Sequence, residues 1–125
     1  MLISGAAKRI DVADLKKYTK YIGGYDSSSS VIKWFWKFVE KDMTDHDHSK
    51  LLMFVTSCPR SPLLGFESLQ PQFTISKIEG VGSNDKLPTS ATCFNLLKLP
   101  EYSSEKVLRD KLMYAIHANA GFEMV

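Results

Sequence analysis

The sequence predicts one mixed α/β (α+β) domain, a small β-sheet packed with surrounding helices. Three observations carry that expectation. The chain has 125 residues, 44% of them hydrophobic, which suits a single core and is too apolar for a disordered chain. Two segments, around Val31–Val39 and Val107–Ile116, repeat apolar residues at helical spacing. Short β-type runs alternate with them: Tyr18–Ile22, Phe73–Ile78 and Thr92–Leu99.

From the N-terminal side, Asp11 caps a short helix that ends on Lys16 and Lys17. Tyr18 to Ile22 reads as a strand stopped by Gly23-Gly24. Ser27 to Ser30 offer N-caps for the next helix. There Val31, Trp34, Phe35, Phe38 and Val39 share one face and Ile32 and Trp36 a second, so the helix is expected to be buried on most sides. Lys33, Lys37 and Lys41 recur every fourth residue as its solvated stripe. The polar stretch 42–49, with His46 and His48, reads as a solvated loop. A helix from about Asp45 to Ser57 fits the run Leu51–Val55, because Leu, Met and Phe outnumber β-branched residues, and Pro59 and Pro62 close it. Phe73–Ile78 is a strand. Gly80 to Ala91 reads as a long polar connection, of the kind that tends to carry function. Thr92 to Leu99 is a central strand ended by Pro100. Ser103 caps a last helix with a Glu105–Arg109 ion pair, His117 near its end and Gly121 as its stop.

Charge and targeting signals narrow the function classes. Sixteen basic residues face 14 acidic ones, for a net charge of +2. That is too small to imply nucleic acid or an anionic membrane as a partner. The greasiest segment, VIKWFWKFV, is far shorter than the ~20 apolar residues of a membrane span and contains two lysines. The N-terminus lacks a signal-peptide core. The two cysteines, Cys58 and Cys93, form no C-x-x-C pair. Reduced thiols in a cytoplasmic or nuclear setting are therefore expected.

Each thiol is then either packing or chemistry. Cys93 stands where a polar loop meets a predicted strand, a position that suits a nucleophile, although cysteine is also a common core residue. Cys58, at the end of an apolar helix, reads as a packed thiol. His46, His48 and His117 form no metal-ligand pattern, and no metal site is expected. No phosphate-cradling or dinucleotide glycine pattern appears. Thiol–thioester exchange asks least of a cysteine's surroundings, because one thioester replaces another at nearly equal energy. A cysteine without an evident histidine partner fits such exchange better than amide hydrolysis.

The stretch LPTSATCFNLLKLPEYSSEKVLRDKLMYAI resembles the active-site segment of the HECT-type ubiquitin ligases. Upstream, TKYIGGY, VIKWFWKFVEK, LLMFVTSC and RSPLLGF match that family's patterns in the same order, and the terminal GFEMV places Phe122 where the family keeps a phenylalanine. The resemblance covers essentially the whole chain and is to the smaller, cysteine-bearing C-lobe of the HECT domain. It implies an α/β C-lobe over residues 8–125, preceded at 1–7 by a remnant of the N-lobe and the interlobe hinge, with Ser4, Gly5, Ala6 and Ala7 in the hinge.

The resemblance also implies roles. Cys93 accepts ubiquitin as a thioester from a ubiquitin-conjugating enzyme and passes it to a lysine of a substrate protein. Thr92 supports the thiol or the incoming amine, and Phe94 and Asn95 anchor the active-site strand. Leu87 and Pro88 shape the loop that meets the ubiquitin tail. Phe122 acts in delivery to the acceptor, with Glu123 beside it as acidic help. No cofactor is implied, the conjugating enzyme is recruited through the N-lobe, and the lobe itself is expected to be a monomer. Many relatives carry histidine two residues before the cysteine. This chain has Ala91 there, which removes one proton acceptor from beside the thiol.

Overall fold

The structure is a computed structural model. It describes the backbone of residues 10–78 and 86–122 and the side chains of that set as far as 118. The hinge residues Ser4–Ala7, the segment 79–85 and Glu123 lie outside the described residues.

Among the described residues, four helices flank one four-stranded sheet. Helix α1 (Val12–Lys17) starts at Asp11, whose carboxylate accepts from the Asp14 amide. Strand β1 (Lys20–Ile22) follows. It begins two residues later than the apolar run suggested, because the Tyr18 and Thr19 amides still close the end of α1. Gly23 and Gly24 make the turn at positive φ, where L side chains are strained. A Cβ on Gly23 would also meet the Ser76 hydroxyl at 2.8 Å.

Helix α2 (Ser30–Lys41) buries Val31, Ile32, Phe35, Trp36, Phe38 and Val39 and leaves Lys33, Lys37 and Lys41 exposed. Phe35 and Trp36 meet edge-to-face with centroids 4.9 Å apart. The Trp36 indole donates to the Tyr21 hydroxyl at 2.9 Å, so the buried N–H is satisfied. Helix α3 (Asp45–Thr56) opens with a capping box, in which Thr44 and Asp47 bond reciprocally, and closes at Ser57 in the left-handed region. His46 and His48 therefore belong to a helix and not to a solvated loop. Two orphan amides satisfied at once let the helix start inside the polar stretch. His48 is buried, its Nε2 bonded to the Val39 carbonyl at 2.7 Å. Cys58, read as packed, is exposed, because Ser57 and Pro59 turn the chain outward immediately after α3.

Past a 3-10 turn at Phe66–Ser68 come β2 (Thr74–Ile78), β3 (Thr89–Ala91) and β4 (Leu96–Pro100). The sheet order is β1-β2-β4-β3. Strands β1, β2 and β4 run parallel, and β3 runs antiparallel to β4 in the register Thr89↔Lys98, Ser90↔Leu97, Ala91↔Leu96. Ile75, Leu97 and Leu99 at the sheet centre are fully buried against Phe35, Leu108, Leu112 and Ile116 of the helices. Two sequence expectations change here. The end of the supposed loop, Thr89–Ala91, is a strand. The supposed strand Thr92–Leu99 is a 3-10 turn (Thr92–Phe94) followed by β4. Asn95, at φ 52°, separates the two, and a left-handed residue cannot continue a strand.

Helix α4 (Glu105–Phe122) packs on α2 and α3. Ser104, not Ser103, caps it, with its hydroxyl accepting from the Val107 amide at 3.3 Å. Glu105 pairs with Lys37 of α2 at 3.5 Å, and among the described residues the i,i+4 ion pair of this helix is Lys106–Asp110. Gly121 falls inside the helix, where a glycine costs about 1 kcal/mol relative to alanine without forcing a stop. No helix among the described residues is long and apolar enough to cross a membrane.

Candidate active site

Cys93 is the middle residue of the 3-10 turn that joins β3 to β4, and its thiol is free and exposed. Thr92 and Phe94 beside it are exposed too, Phe94 to 64%. All three side chains stand out from a backbone held on both sides by paired strands.

Asn95 holds the turn from below. Its amide donates to the Thr92 carbonyl at 3.3 Å, which closes the turn. Its left-handed conformation reverses the chain into β4, a geometry asparagine tolerates better than most residues. The side chain is only 6% exposed and donates through Nδ2 to the Pro71 carbonyl at 2.6 Å. Its carbonyl accepts from the Thr74 amide at 3.1 Å, the first rung beneath β2. Three bonds thus fix one residue, two positions after the thiol. Phe94, which the resemblance pairs with Asn95, faces solvent and makes none of these bonds.

The approach to the turn is tied as well. The Ser90 hydroxyl donates to the Phe54 carbonyl near the end of α3 at 2.6 Å, clamping β3 to that helix. Buried Tyr102 donates through its phenol to the Lys86 carbonyl at 2.6 Å, and burial pushes that phenol's pKa well above the usual tyrosine range. Lys86 immediately precedes Leu87 and Pro88. Pro88 is buried and Leu87 is 37% exposed, so one of the pair seats the segment and the other presents an apolar side chain. Ser90, Tyr102 and Pro71 did not emerge from the sequence. Pro71 contributes only a carbonyl, and Tyr102 lies in a polar turn with no periodic signal.

The histidines serve elsewhere. His48 turns to Val39, and His117 bonds Asp47 at 3.0 Å. His117 is thus a cross-helix contact, well inside α4. Among the described residues, no hydrogen bond or ion pair reaches the Cys93 sulfur, and no group of three His, Cys, Asp or Glu is placed to hold a metal. Phe122 is the last residue of α4, and its side chain lies outside the described set. The arrangement offers an exposed thiol on a turn held by paired strands and the Asn95 bonds. That geometry favours exchange with a large, activated acyl group over unaided cleavage of an amide.

Comparison with known proteins shows the family. The profile of the HECT-domain (ubiquitin-transferase) family matches residues 1–125. The chain is 50% identical over 127 residues to the E3 ubiquitin-protein ligase UPL6 of Arabidopsis thaliana, covering 99% of this chain and 12% of that protein. It is 46% identical to the human ubiquitin-protein ligase E3B, covering 98% of this chain and 14% of that protein. It is 44% identical to the E3 ubiquitin-protein ligase HUL5 of Saccharomyces cerevisiae, covering 99% and 13%. The chain thus spans about one-eighth of the length of the curated relatives it matches, and over that span it belongs to the HECT-domain (ubiquitin-transferase) family.

Proposed function

We propose that the chain is the catalytic C-lobe of a HECT-type ubiquitin ligase, with residues 8–125 forming the lobe and Ser4–Ala7 the hinge toward an N-lobe. The observation that carries this reading is the exposed Cys93 thiol on a turn locked by Asn95 between β3 and β4. In the first step the Cys93 thiolate attacks the carbonyl carbon of the thioester between ubiquitin and its conjugating enzyme. A new carbon–sulfur bond forms, the old one breaks, and the enzyme's thiolate leaves and takes up a proton. In the second step the unprotonated amine of a substrate lysine attacks the same carbon. A carbon–nitrogen isopeptide bond forms, the bond to sulfur breaks, the Cys93 thiolate leaves, and the attacking nitrogen gives up one proton.

Several features support these roles. Strand β3 is an edge strand, and an edge suits the approach of an extended peptide tail. Leu87 supplies apolar contact there, and Pro88 and the Tyr102–Lys86 bond fix its position. Thr92, exposed and adjacent to Cys93 in the chain, supports the thiol or the incoming amine. Phe122 and Glu123, at and just beyond the end of α4, act in delivery by analogy with the family. The lobe needs no cofactor and acts as a monomer. The free thiols suit a cytoplasmic or nuclear setting.

The test is charging of the full-length protein with ubiquitin in the presence of activating and conjugating enzymes. A thiol-labile adduct should form on the wild type and on Cys58→Ala and be absent from Cys93→Ala. Both thiols are exposed, so an adduct that persists in Cys93→Ala and vanishes in Cys58→Ala would overturn the assignment.

A further inference from the structure

A groove of about 210 Å³ lies between the end of α1, strand β1 and one side of α2, and its charge is one-sided. Lys16 stands on one wall and Lys33, Lys37 and Lys41 on the other, against the single carboxylate of Glu40. Four lysines less one glutamate leave three positive charges, more than the +2 of the entire chain. The lysines are weakly neutralised. Lys16 meets Glu40 at 3.8 Å and Lys37 meets Glu105 at 3.5 Å, both beyond good hydrogen-bond range. Lys33 and Lys41 have no ion-pair partner among the described residues. The floor is apolar and rigid: Trp36 is buried and tied to the Tyr21 hydroxyl.

Spacing selects the occupant. Lys33, Lys37 and Lys41 are successive i,i+4 positions on α2, so the helical rise sets them about 6 Å apart along the groove wall. An extended peptide places alternate side chains on one face about 6.5 Å apart. Carboxylates at every second residue of an extended chain therefore meet the three ammoniums nearly in register, and the residues between them lie toward the floor or toward Lys16. We propose that this groove docks an extended acidic segment of a partner protein, with Asp or Glu at alternating positions. The site stands apart from the transfer reading, because Tyr21 belongs to β1, at the opposite edge of the sheet from β3 and the thiol.

The experiment uses fluorescence anisotropy with two labelled peptides of equal length and charge. One alternates glutamate with small residues, and the other holds the same glutamates in a block. The alternating peptide is expected to bind several-fold tighter. Each exposed ion pair contributes up to about fivefold in affinity, so Lys33→Gln/Lys37→Gln/Lys41→Gln should weaken binding roughly tenfold or more. These side chains are exposed on a helix, and circular dichroism should show the variant folded. The control, Arg60→Gln/Lys98→Gln/Lys106→Gln, removes three other exposed cations and should have little effect. Equal binding of the two peptides, or equal weakening by the control, would reduce the groove to a general charge effect and overturn the proposal. So would tighter binding to anionic lipid vesicles than to the alternating peptide, with the same lysine dependence.

Discussion

Replacing Asn95 separates the two things it does, and the two substitutions to compare are Asn95→Ala and Asn95→Gly. Both remove the 2.6 Å bond to the Pro71 carbonyl in a nearly buried site. Leaving that acceptor unpaired costs about 1–3 kcal/mol. Alanine must also hold φ 52°, where an L side chain costs roughly 1–2 kcal/mol. Glycine avoids that strain but gives back about 0.4–1 kcal/mol through a more flexible unfolded chain. Alanine should therefore be the more destabilising, by on the order of 1 kcal/mol, with total losses of about 2–5 kcal/mol for alanine and about 1.5–4 kcal/mol for glycine. Against a stability of about 5–15 kcal/mol, both variants remain largely folded at 25 °C. The assay is urea denaturation of the two variants beside wild type, with Cys93 modification rates measured in parallel. An Asn95→Ala protein as stable as Asn95→Gly would refute the role given to the left-handed conformation. Wild-type stability in both would refute the Pro71 bond as well.

Two further outcomes follow from the same geometry. Tyr102→Phe should lose the bond to Lys86 and about 1 kcal/mol of stability in urea. Under the proposed role of Leu87 and Pro88 in meeting the ubiquitin tail, its effect on ubiquitin loading should exceed its effect on reaction of Cys93 with a small alkylating agent. The second outcome concerns acid. Burial acts to raise the Asp47 pKa, but the Thr44 backbone and hydroxyl bonds and the His117 contact outweigh it, so the net shift is downward. A depressed folded-state pKa means this stabilisation is present above the ordinary carboxylate value and lost as pH falls through the folded one. Thermal melts should show stability declining below about pH 4, and Asp47→Asn should flatten that part of the profile. An unchanged profile in Asp47→Asn would remove Asp47 from the acid response.

The helices were the legible part of the fold. Ser30–Lys41 follows from apolar residues at helical spacing and Asp45–Thr56 from a Leu-, Met- and Phe-rich run, and both matches are close. The cysteine turn was not legible. Thr92–Leu99 is apolar enough to pass for one strand, and the break depends on a positive φ at Asn95 that periodicity does not encode. Strand β3 escaped for a related reason. Thr89, Ser90 and Ala91 carry little β signal, and an edge strand this short is formed by its pairing with β4. Cys58 shows the opposite error. A thiol beside an apolar helix reads as core, but the turn after α3 decides its exposure. The sequence motif pointed to Cys93, and the structure sets that residue on an exposed turn. The supports around it are backbone carbonyls of Phe54, Pro71 and Lys86, which have no residue-type signature.

Those carbonyls also have a bearing on when the thiol is shaped during folding. The Asn95–Pro71 bond spans 24 residues and the Ser90–Phe54 bond 36, so neither forms from local sequence alone. Contacts of such separation carry a loop-closure cost and mature late relative to helices. A nascent or partly unfolded chain therefore carries the cysteine without its turn. The turn that presents Cys93 is a property of the finished domain, so presentation of the thiol depends on successful folding.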